Sequence, residues 1–182
     1  MKSIRPARSL SRRERGQSLV ELAISLTVML LLLAGAVTFG MALFSYVAIR
    51  DAAQEGALWG SFTPCLDASG ATCNDPAKLN TAAIKERVRG ASDSPVRLSD
   101  LSVVPDAYIN VELSPSPAKG GQPCEGTTGT DEHGSPVPNA VKVTVKYDYH
   151  IIMPFVNAMV GNDGMIQLTA SVTDTILSPV CP

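Results

Sequence analysis

Few side chains in this sequence stand where their type and spacing could do chemistry. Cys65, Cys73, Cys124 and Cys181 are the four thiols. No pair has the two-to-four-residue spacing of a zinc site, so no metal is expected there. In an oxidising compartment such cysteines form disulfides. Three pairings are open; the short separation of Cys65 and Cys73 favours that pair, which leaves Cys124 with Cys181. His133 lies in a glycine-rich loop and His150 in a strand-like run, neither with a second ligand at a useful spacing. Asp131 and Glu132 do not form a calcium-loop pattern. Nucleophile-elbow, phosphate-loop and dinucleotide signatures are all missing from the sequence. The expectation is a chain that is not an enzyme and takes no cofactor. One acid remains: Glu21, at the edge of a long apolar run. A carboxylate costs a few kcal/mol if it reaches mid-bilayer. At the interface it would only complement a helix N-terminus.

The run that follows Glu21 explains why its position matters. Between Glu21 and Arg50 lie 28 residues without a formal charge. As a helix they would extend about 42 Å, more than the ~30 Å of a bilayer core. Only 18% of the chain's residues are charged and its mean hydropathy is +0.14. The net charge of −2 hides a division. Residues 1–16 carry six basic side chains and one acid; the rest is acidic overall. A basic head on an acidic body argues against nucleic acid as a partner. It predicts a single membrane span with the N-terminus in the cytoplasm and the rest outside.

Three readings of the span compete. A cleaved secretory signal would use Ala34-Gly35-Ala36, but the apolar run continues from Val37 to Ile49. That cut would leave an exposed apolar tail. A plain single-span anchor explains the run but assigns nothing to the residues before it. The third reading is a prepilin-type leader. A basic stretch ends at Gly16, four uncharged residues follow (Gln17-Ser18-Leu19-Val20), and then comes Glu21. This order resembles the class III prepilins of the tight-adherence (Tad) system. The stretch from Arg15 to Ser61 is similar to the N-terminus of TadE-like pseudopilins, with Ala52-Ala53-Gln54-Glu55-Gly56-Ala57 matching their Ala-Ala-x-Glu-Gly-Ala segment. The resemblance implies a minor pilin that assists assembly of a Tad-type pilus or secretion apparatus. A prepilin peptidase would cut between Gly16 and Gln17. Leu22 stands where the major pilins usually have Tyr, and the body is far longer than theirs, which favours the minor class. After the cut, Glu21 would be the fifth residue. It would pair with the new α-ammonium of Gln17, its own or a neighbour's, since residues four apart share a helix face.

Stepping along the chain gives the elements that must hold these residues. Tyr46, Ile49, Ala53, Gly56 and Ala57 keep helical spacing, so the helix is expected to run from 17 to 62 and stop before Pro64. Ala36 and Gly40 would permit close approach of another helix. Residues 77–89 read as a short amphipathic helix with Leu79, Ala83 and Val88 on its apolar side. Val103–Val104 and Tyr108–Leu113 read as strands, and residues 114–138 as a long flexible loop. Ala140–Ile152 alternates with period two, with Val141, Val143, Val145, Tyr147 and Tyr149 on one side; residues 166–176 repeat the pattern. The predicted fold is α+β: a basic leader over 1–16, a transmembrane and protruding helix over 17–62, and an extracytoplasmic domain over 63–182. That domain would hold a short helix and three or four antiparallel strands. The resemblance implies as partners the prepilin peptidase, sister pseudopilins and the major pilin, the inner-membrane Tad assembly platform and membrane lipid. The location would be a bacterial cell membrane, crossed once. The competing function is a single-span anchored binding or adhesion module unrelated to pili.

Overall fold

In a computed structural model of the chain, residues 12–62, 79–121, 128–151 and 164–177 are described. The chain divides into two compact units, Met1–Gly40 and Met41–Pro182. Helix α1 (Arg12–Phe62) contributes to both.

In the first unit the helix shows no polar stripe. From Gly16 to Gly40 every side chain is exposed except the half-buried Gly35 and Thr38. Its rows of Leu, Val, Met and Phe face outward on all sides. A helix apolar all round needs an apolar solvent. The span from Gly16 to Phe62 is long and apolar enough to cross a membrane, and none of its most apolar stretch is buried in the protein. The core helix of a soluble domain would be covered. Both threonine hydroxyls of this stretch bond within the helix: Thr27 donates to the Ala23 carbonyl and Thr38 to that of Ala34, both at 2.9 Å.

In the second unit α1 acquires a buried face. Ile49, Ala52, Ala53 and Ala57 are fully covered, while Asp51, Gln54 and Leu58 stay exposed. Their partners are helix α2 (Thr81–Gly90) and a three-stranded antiparallel sheet of order β1-β4-β5. The strands in chain order are β1 (Ile109–Ser114), β2 (Thr128–Thr130), β3 (Pro136–Pro138), β4 (Ala140–His150) and β5 (Met165–Thr175). One inner row joins Ile109, Val145 and Ala170, the next Val111, Val143 and Val172. The outer rows are polar, for example Glu112, Lys142 and Thr173. This alternation is what a sheet with one wet face requires. Helix α2 starts where Asn80 Oδ1 accepts from the Ala83 N–H at 3.1 Å, and it buries Ile84 and Val88. The connection to β1 adds Val96, Leu98 and Val104 to the same core.

The α+β architecture and both long strands agree with the sequence. Three details differ. Val103–Val104 is not a strand but part of a turn, held by Asp100, whose Oδ1 accepts from the Ser102 N–H at 2.9 Å. Ile84, not Leu79 or Ala83, is the fully buried partner of Val88 in α2. The stretch 114–138 carries structure of its own: a 3₁₀ turn at Pro117–Lys119 and the hairpin of β2 and β3. Glycine close approach makes that possible. A methyl group at Gly121 would collide with the Pro115 carbonyl, and one at Gly129 with the Pro115 ring.

Candidate functional site: the membrane junction and the docking face of α1

The sequence-predicted junction lies inside α1. Gly16, Gln17 and Glu21 are all helical and exposed. Gln17 and Glu21 are four apart, so their side chains occupy one face a turn from each other. Nothing lies within 4 Å of a methyl group placed on Gly16. The fold therefore does not require glycine there. Glycine does weaken the helix by about 1 kcal/mol relative to alanine, which eases opening of the backbone at this point.

Farther along, α1 turns a stripe of small residues toward the sheet. A methyl group at Gly56 would collide with Val88 Cγ2 of α2 and lie 3.7 Å from Val143 Cγ1 of β4. One at Gly60 would lie 2.9 Å from Ile84 Cδ1 and 3.2 Å from Val141 Cγ1. Thus α1 advances from Val143 to Val141 as it runs from 56 to 60, antiparallel to β4. With Ala52, Ala53 and Ala57, these glycines let the helix backbone approach both neighbours closely. Beside them Glu55 pairs with Arg87 of α2 at 2.5 Å. Both ends of that pair are well exposed, so it adds little to stability. The Ala-Ala-x-Glu-Gly-Ala segment is therefore where α1 docks: its small residues make the close contact and its acid pairs at the exposed edge. Ser61 closes the face; its backbone carbonyl accepts from the Leu177 N–H at 3.0 Å, which ties the chain after β5 to the end of α1.

A second polar cluster braces the turn between α2 and β1. Arg89 donates to the carbonyls of Leu98 at 2.8 Å and Val104 at 3.2 Å, and to Asp106 Oδ1 at 2.8 Å. Lys85 reaches Asp106 Oδ2 at 3.3 Å. Hydrogen bonding from Arg89, then from Lys85, holds the Asp106 carboxyl below its ordinary value. Tyr108 donates to Asp148 Oδ2 at 2.5 Å, and that bond, with burial, pushes the phenol upward. Sequence reasoning did not find Arg87, Arg89 or Gly60. Lys85, Arg87 and Arg89 look like ordinary solvated charges on a short helix until their partners are known.

The other candidates separate. His133 is exposed in the β2–β3 turn and His150 is exposed at the end of β4. Cys65, Cys73, Cys124 and Cys181 lie outside the described residues. Among the described residues no cluster of His, Cys, Asp or Glu could hold a metal.

The comparisons with known proteins fall on the helix. No curated protein and no solved structure matches the chain. A family model described as TadE-like protein matches residues 16–58, about a quarter of the sequence. The match begins at the predicted junction and ends inside the docking stripe. TadE-like proteins are associated with the Tad pilus as structural components. The chain thus carries, from Gly16 to Leu58, the segment that marks TadE-like proteins, and it is similar to that family there.

Proposed function

We propose that this chain is a membrane-anchored pseudopilin, a minor subunit needed to assemble a Tad-type pilus or secretion apparatus. The observation that supports it is one continuous helix carrying two features of the family. Gly16, Gln17 and Glu21 stand at its start, and the Ala-Ala-x-Glu-Gly-Ala docking stripe lies farther on. In this reading a prepilin peptidase removes residues 1–16, and Gln17 becomes the mature N-terminus. The basic leader stays in the cytoplasm and the unit beginning at Met41 lies mainly outside. There the oxidising environment pairs Cys65 with Cys73 and Cys124 with Cys181. Sister pseudopilins, the major pilin and the inner-membrane assembly platform are the partners. Glu21 balances the α-ammonium that cleavage creates, within one chain or between neighbours.

The test is the mature N-terminus. Protein extracted from membranes should begin at Gln17. Gly16→Trp should block the cut while leaving insertion and the folded domain unchanged, because nothing packs on Gly16. A chain that keeps Met1 in the presence of the peptidase would overturn the reading, as would a start at Val37.

A further inference from the structure

The outer face of the sheet ends in a cleft of about 590 Å³, within the range of small-molecule sites. Its floor is one register row, Ser114, Ala140 and Thr175, with Thr173 two residues back along β5. Neighbouring residues on the same face of β4 are Lys142 and Thr144. Ala140 is the small residue that leaves the hollow. The opposite wall is the 3₁₀ turn after β1 and the β2–β3 hairpin, which contribute Lys119, Asp131 and Glu132.

That wall is fixed in place. Gly121 and Gly129 bring the turn and the hairpin into backbone contact, with a methyl group at Gly129 only 2.9 Å from the Lys119 carbonyl. Thr130 Oγ1 donates to that carbonyl at 3.3 Å. At the hairpin tip, Asp131 Oδ1 accepts from the N–H groups of His133 and Ser135, each at 2.8 Å. These bonds fix the backbone of the tip, from which Glu132 lines the cleft.

The lining selects the ligand by chemistry. Two carboxylates against one ammonium disfavour an anion. No aromatic ring lines the cleft to stack a base. An apolar ligand would leave the serine and threonine hydroxyls without their water. What remains is a neutral ligand that both donates and accepts at many points. Ser114, Thr173 and Thr175 can do either, Glu132 can accept from two adjacent hydroxyls, and Pro115 and Pro138 offer apolar surface to C–H faces. We propose that this cleft binds a neutral saccharide, a role separate from pilus assembly.

Full-length protein in lipid nanodiscs, free of sugar-headed detergent, should bind chitotriose or cellotriose saturably at millimolar concentration, read by saturation-transfer NMR. Preference for chitotriose would point to an N-acetylated wall-type polymer, and preference for cellotriose to a plain glucan. Thr173→Val and Glu132→Gln change exposed side chains and should each weaken binding roughly tenfold. Lys142→Ala, on the same sheet face but outside the cleft, should leave it unchanged. If neither trisaccharide binds saturably, or if both cleft variants bind like the parent, the proposal fails.

Discussion

Gly56 shows how much one absent side chain can decide. Alanine there would gain about 1 kcal/mol of helix propensity but would collide with Val88, whose branched side chain cannot easily turn away. Overpacking of this kind typically costs about 1–3 kcal/mol. Gly56→Ala should therefore lower the denaturation midpoint of the domain, and Val88→Ala in the same chain should recover part of the loss. Independent, additive effects in that double-mutant cycle would show that the contact is not tight. Glu21 is tested differently, because it is exposed on α1 in the first unit, away from the buried core of the second. Glu21→Gln keeps the shape and removes the charge, so insertion and cleavage should persist. Association with sister subunits should fall, by about 3–5 kcal/mol if the amine is left unpaired in a low dielectric. Normal co-purification of the variant would show that the charge pair is dispensable. Glu21 and Gly56 were both visible in the sequence through the family resemblance. The physical task of Gly56 was not, since it depends on Val88, 32 positions later.

Among elements, legibility followed the strength of the pattern. β4 and β5 could be read because their alternation runs over eleven residues each. α1 could be read because its apolar run is uninterrupted. Val103–Val104 was misleading: two adjacent valines fit a strand, but Asp100 caps a turn there and only Val104 reaches the core. The β2–β3 hairpin was hidden because Pro136 and Pro138 argue against a strand; two three-residue strands at a sheet edge tolerate them. The connection from α2 to β1 depends on two acids, Asp100 in the turn and Asp106 beside Arg89 and Lys85. Pairing holds the folded Asp106 carboxyl below its ordinary 3.8. Its contribution is therefore complete above that value and is lost as pH falls through the lower folded one. Hydrogen exchange of residues 96–104 should accelerate as pH drops below about 4 in the parent, after correction for intrinsic rates. In Asp106→Asn that extra acceleration should shrink; the part that remains belongs to Asp100, whose carboxyl the Ser102 hydroxyl and N–H hold low. Arg89→Ala should loosen the same segment at neutral pH by about 1–3 kcal/mol, since the Leu98 and Val104 carbonyls lose their donor.

For the whole molecule, the division at Gly40 implies independence. Among the described residues, the core cluster draws on none before Ile49. A chain beginning at Met41 should keep the thermal transition of the full-length domain to within a few degrees, measured in mild detergent because Phe44 and Val47 stay exposed. A large drop would mean that the first unit braces the second. The cleft under the hairpin was beyond sequence reasoning for a reason of the same scale. It collects side chains from four separate segments, and no local period reports their meeting. The length of the uncharged run carries a last consequence. Nineteen of its residues, Leu22 to Gly40, precede the unit that begins at Met41, and as helix they cover about 29 Å, close to the hydrocarbon layer of about 30 Å. Glu21 then stands at the inner boundary with no slack behind it, so an outward pull on the folded unit draws its carboxylate into the oil at once. Extraction from the membrane would therefore meet its resistance within the first turn of movement, set by that single acid.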